Sequence, residues 1–203
     1  MRILCFGDSN TFGYIPGGLG QFVDDVRYPG ILRELLGPGS TVIEDGVCGR
    51  TTIFEDPVPG RRGIDTIKDS VENAEPDILF LMLGTNDCKA EFNKEASEIT
   101  DGAVQIAKIA KSVKPSLKII LCAPTKIIPD ALFQVNYYNP HSLEVNAALA
   151  GSYKKAAIEN GYYFMDASTY AVPDPADGEH MDAENHQKLG EAVYKKIREV
   201  CSL

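Results

Sequence analysis

Short, largely apolar runs alternate along this chain with longer segments in which apolar residues recur every three or four positions. The runs over residues 2–6, 41–44, 78–83, 117–122 and 162–165 have the length of buried strands. The run over 78–83 reads ILFLML without a polar break, so both of its faces are buried, as in a central parallel strand. Helical periodicity fills the intervals. Residues 29–36 carry Ile31, Leu32, Leu35 and Leu36 as an apolar face with Gly37 as a stop, and 63–73 place Ile64, Ile67 and Val71 on one side. A longer helix from about residue 94 to 113 turns Ile99, Ala103, Ile106, Ile109 and Ala110 inward, with Pro115 beyond its end. Residues 143–160 form another helix, ended by Gly161. The terminal helix takes Asp182 as its N-cap and faces Leu189, Val193 and Ile197 inward. Strands that alternate with helices imply a parallel sheet covered on both faces, joined by right-handed crossovers. With no repeats and no linker, residues 1–203 read as one α/β domain.

The apolar runs end in polar turns, and the turns hold the chemistry. Gly7-Asp8-Ser9-Asn10 breaks the first strand before a helix can start, Asp45 to Thr52 leaves the second, and Gly84-Thr85-Asn86-Asp87 ends the third. Ligands of open parallel sheets bind at that carboxyl edge, which makes Ser9 a candidate nucleophile. A serine hydroxyl needs a base to take its proton and an acid to orient that base. His180, with Asp177 three residues upstream, supplies both from one turn, whereas His141 and His186 read as ordinary surface histidines. Acyl transfer also needs donors for an oxyanion. The Ser9 and Gly49 amides and the Asn86 side chain all follow strand ends and are the candidates. Asp8 and Asp87 read as local anchors of their loops. Three loops border the same edge, over 14–20, 124–140 and 170–181. The second of these is long enough to act as a lid.

Composition narrows the setting. Twenty basic against 29 acidic residues give a net charge of -9, which disfavours nucleic acid and anionic membrane surfaces as partners. The five cysteines are scattered with no CxxC pair, so they read as buried or half-buried thiols in a reducing compartment. No apolar run is long enough to span a bilayer, and the first residues enter a strand directly rather than a secretory leader. A cytoplasmic location is the expectation. No metal-ligand spacing, Walker lysine or GxGxxG run is present, and oligomeric state is left open.

In order along the chain, GDSN at 7–10, the isolated Gly49, GTND at 84–87 and DxxH at 177–180 resemble the four sequence blocks of the SGNH hydrolases, the GDSL esterase and lipase superfamily. The GRTT context, LGTND and DGEHMDAENH resemble its arylesterase and acyltransferase branch. The resemblance implies a three-layer α/β/α sandwich with a flavodoxin-like five-stranded parallel sheet. It implies a serine esterase that works on small acyl esters through an acyl-enzyme, with no cofactor and with transfer to another alcohol as a second outcome. Ser9, His180 and Asp177 would be its triad, and Ser9, Gly49 and Asn86 its oxyanion donors. Asn10 stands where the commoner motif has Leu. Asn10, Tyr14, Arg50 and Thr51 are the candidate substrate contacts. Carbohydrate acetyl esterases, lysophospholipases and thioesterases share the same blocks. The rival of another class is a flavodoxin-like module that binds phosphate or flavin at the first strand-to-helix loop.

Overall fold

In the computed structural model, which describes residues 1–18, 20–129 and 137–202, five parallel strands lie in the order β2-β1-β3-β4-β5. The strands are β1 (Arg2–Gly7), β2 (Thr41–Gly46), β3 (Ile78–Met82), β4 (Lys118–Ala123) and β5 (Tyr163–Asp166). Helices α1 (Ser9–Phe12), α2 (Tyr28–Leu36), α3 (Gly63–Ala74), α4 (Ala96–Val113), α5 (Pro140–Asn160) and α6 (Ala183–Cys201) connect or follow them. Successive strand residues point to opposite faces, and the two cores follow from that alternation. Leu4, Phe6, Leu79, Leu81, Ile119 and Leu121 pack against α3, α4 and α5. Ile3, Cys5, Ile78, Phe80, Met82 and Ile120 pack against α2 and α6.

The chain reverses direction of winding between β1 and β3, which is where such sheets open a crevice. The register brings three strand ends level at that point, with Gly7 beside Gly46 on one side and beside Met82 on the other. The loops after β1, β2 and β3 therefore open onto the same edge.

Caps explain several boundaries that apolar periodicity places a few residues away. Glu95 and Glu98 form a reciprocal capping box that starts α4 at Ala96, and the Asn139 side chain accepts from the Ser142 amide to start α5 at Pro140. Asp182 accepts from the Asn185 amide as the N-cap of α6. Leu35 differs from expectation. It is exposed rather than inward, because the apolar stripe of α2 is completed by Tyr28, Ile31 and Leu32. The turn after β1 differs as well: it runs straight into the single-turn helix α1 instead of excluding one. The expected lid over 124–140 has its middle, 130–136, outside the described residues.

Candidate active site

Ser9 is held where it is by its neighbours in sequence. Asp8 caps α1 by accepting from the Asn10 amide at 3.0 Å, and Gly13 closes the turn in the left-handed region. Asp8 thus anchors its own loop, as expected. Its second oxygen is buried without a partner among the described residues, and burial pushes its carboxyl up to about 7.

His180 reaches Ser9 from the turn before α6. Its Nε2 lies 2.9 Å from the Ser9 Oγ, and its Nδ1 lies 2.9 Å from Asp177 Oδ2. Asp177 Oδ1 accepts from the Glu179 and His180 amides, and Oδ2 also accepts from the Gly17 amide. Burial alone would raise the Asp177 carboxyl. These four donors outweigh it and hold the group well below the usual carboxylate range. Burial lowers the His180 imidazole, but the Asp177 hydrogen bond and the charges of Glu179, Asp177 and Asp8 carry it above its ordinary value. The Tyr14 ring leans on the imidazole, centroids 4.6 Å apart. Serine, imidazole and carboxylate therefore form one continuous hydrogen-bonded line. The imidazole is oriented to take a proton from the hydroxyl.

Gly49 and Asn86 face the same space from the other side. Gly49 has φ +79°, a left-handed backbone that favours glycine, and a Cβ there would meet only the far end of the Arg61 side chain, at 2.7 Å. Asn86 opens a 3-10 turn (Asn86–Cys88), and one of its Nδ2 hydrogens goes to the Arg50 carbonyl at 3.2 Å, leaving the second free to donate. Among the described residues the Ser9 and Gly49 amides donate to no other group. Asp87 departs from the expected local role. It accepts from the Thr52 amide at 2.8 Å and from the Thr52 hydroxyl, so it ties the Asn86 turn to the Gly49 loop. Burial pushes its carboxyl up to about 6.

These groups border a cavity of about 300 Å³. Ser9, Gly49, Asn86, His180 and Tyr14 line it, with Asp177 behind the imidazole. Asn10, Arg50 and Thr51 do not. The Asn10 side chain donates from Nδ2 to the Glu179 carbonyl and accepts at Oδ1 from the Met181 backbone amide, clasping the His180 turn on both sides. The Arg50 guanidinium is buried 4.0 Å over the Phe6 ring and bonds Gly7 O and both the carbonyl and carboxylate of Asp45. It braces the ends of β1 and β2 instead of meeting solvent. Thr51 is fully buried, bridged to Arg62, with its hydroxyl on the Phe54 carbonyl.

The cavity also contains charged residues that patterning missed. Arg61, Lys89 and Glu179 line it, and the buried Asp56 stands behind the two cations. Of the other histidines, His141 is part-exposed near Glu95, whereas His186 is fully buried between Phe22 and Tyr28, against the surface reading of its polar surroundings. Among the described residues, no three His, Cys, Asp or Glu side chains converge as metal ligands would.

Comparison with known proteins gives concordant results. The M. smegmatis aryl esterase, in its inhibitor-bound form, is 30% identical, with 98% of each chain covered and a TM-score of 0.92. Est24, a carbohydrate acetylesterase from Sinorhizobium meliloti, is 29% identical over 98% of this chain and 99% of its own, also with a TM-score of 0.92. An acetylxylan esterase of Xylanibacter ruminicola is 24% identical over 98% of this chain, which spans only 43% of that relative's length. The model of the GDSL-like lipase/acylhydrolase family matches residues 5–194, so the chain belongs to that family of ester hydrolases.

Proposed function

We propose that the protein is a serine esterase in which Ser9, His180 and Asp177 form the catalytic triad and the Ser9 amide, the Gly49 amide and the Asn86 side chain stabilise the oxyanion. The observation that carries this reading is the 2.9 Å contact between Ser9 Oγ and His180 Nε2, made across 171 residues of sequence inside one cavity. Ser9 attacks the ester carbonyl as His180 takes its proton. The oxyanion meets donors that are already in place, each worth about 2.7–4 kcal/mol of barrier in such sites. His180 then returns the proton to the departing alcohol. Water, or a second alcohol, enters along the reverse path and releases the acyl group, so hydrolysis and acyl transfer share every step but the last. The five free cysteines support a reducing, cytoplasmic setting.

Ser9→Ala is expected to reduce turnover of p-nitrophenyl acetate by at least about 10³-fold while far-UV circular dichroism is unchanged. Wild-type rates in a folded Ser9→Ala protein would sink the assignment.

A further inference from the structure

One wall of the cavity carries more hydrogen-bond donors than the protein satisfies. Arg61 and Lys89 stand there together. Both lean on a single carboxylate, Asp56, whose side chain is 3% exposed. Asp56 Oδ1 takes the Val58 amide at 2.8 Å and Arg61 Nη1 at 3.0 Å, while Oδ2 lies 3.6 Å from Lys89 Nζ, too far for a hydrogen bond. The Lys89 side chain is only 11% exposed and its ammonium lies 5.7 Å from the Tyr137 ring centroid. It makes no hydrogen bond among the described residues. An ammonium on the cavity wall whose donors the protein leaves unused offers three N–H groups to an acceptor on a bound ligand. Arg61 adds further N–H groups, and two cations against one carboxylate leave one positive charge over. In a chain of net charge -9, that surplus is local to this wall.

We infer that the cavity recognises esters carrying a carboxylate, with the carboxylate seated on Lys89 and Arg61 while the ester carbonyl meets Ser9. The inference rests on the esterase reading and adds the substrate class. The opposing charge in the cavity fixes the direction of binding. Glu179 belongs to the His180 turn and already accepts from the Tyr138 hydroxyl at 2.8 Å, so its charge repels an anion from that wall and leaves the Lys89 wall to receive it. Charge-assisted bonds to a carboxylate are short and strong, and they gain further where water is excluded.

The experiment compares kcat/KM within two pairs of esters, monoethyl and diethyl glutarate for a charge on the acyl half, and p-acetoxybenzoate and its methyl ester for a charge on the alcohol half. In at least one pair the ratio of anionic to neutral ester is expected to fall by about tenfold or more in Lys89→Met and to be retained in Lys89→Arg. High salt should lower the wild-type ratio in the same pair. Comparing ratios between proteins cancels the intrinsic reactivity of the esters and any general loss of activity. Equal loss on both members of both pairs in Lys89→Met would overturn the inference. A calorimetric titration of the anionic ester into Ser9→Ala protein, with and without Lys89→Met, reads recognition without turnover. An anion that binds tenfold more weakly without Lys89 supports the inference even if no ester is cleaved. Hydrolysis of p-nitrophenyl acetate with no Lys89-dependent anion preference removes the inference and leaves the esterase standing.

Discussion

In the proposed triad His180 is subject to opposing influences, and the pH range of the proposed activity follows from which one wins. Burial favours the neutral imidazole, but the Asp177 hydrogen bond and the nearby carboxylates outweigh it and raise the pKa above 6.5. A base must be neutral to accept a proton, so kcat/KM for p-nitrophenyl acetate is expected to rise with pH through a midpoint above 6.5. Asp177→Asn removes the largest upward influence. Its midpoint should move to lower pH while kcat falls by about 10³–10⁴-fold, because the amide no longer selects the productive tautomer. A midpoint unmoved in that variant would show that Asp177 does not act on His180. The residues of this hydrogen-bonded line were legible in the sequence because each stands in a short polar turn after an apolar strand or before a helix. Arg61, Lys89 and Glu179 were not. A charged residue in a loop carries no pattern that tells a cavity wall from a solvated surface. Arg50 failed for the converse reason: nothing in GRTT says that its guanidinium folds back under Phe6.

At the scale of elements, α6 does more than cover the sheet. Its first turns bury His186, whose Nδ1 faces the Tyr28 amide at 3.4 Å and whose Nε2 has no partner among the described residues. Burial lowers this imidazole to about 4, and the charges of His180 and Arg27 add to the effect against the opposing Asp182. Between pH 6.5 and 4 the unfolded chain binds a proton here that the folded chain refuses, so stability is lost as the pH falls. The full interval is worth about 3 kcal/mol. His186→Phe is expected to make denaturant-measured stability less sensitive to acid between pH 7 and 5, by about 2 kcal/mol. An unchanged difference between the two pH values would show that other groups govern it. Long elements were readable from periodicity, and their ends shifted only where caps decided them. Helix α1 was invisible for a physical reason: four residues make one turn, which is too short to show a repeat. The burial of His186 was hidden too, because the polar neighbours Asn185 and Gln187 mask the stripe it shares with Leu189.

For the whole molecule, the order β2-β1-β3-β4-β5 places the reversal of winding between β1 and β3, and all contributors to the site meet there or reach it from the turn before α6. The alternation of strands and helices gave the parallel sheet directly. The strand order is a matter of tertiary packing that the sequence pattern alone does not encode. Because the site draws on both ends of the sequence and on loops fixed by buried bonds, its assembly depends on the intact sheet. Thermal loss of p-nitrophenyl acetate turnover is expected to coincide with loss of far-UV ellipticity. Activity that disappears well below the structural transition would show instead that the site loops open on their own. Asn10 bears on any attempt to rebuild this site from parts. Its amide grips the carbonyl of residue 179 and the amide of residue 181, so the first loop and the histidine turn are one mechanical piece encoded in two distant places. A graft of the histidine turn into a relative with leucine at that position would arrive without its fastening. The transplantable unit is the pair of segments, moved together.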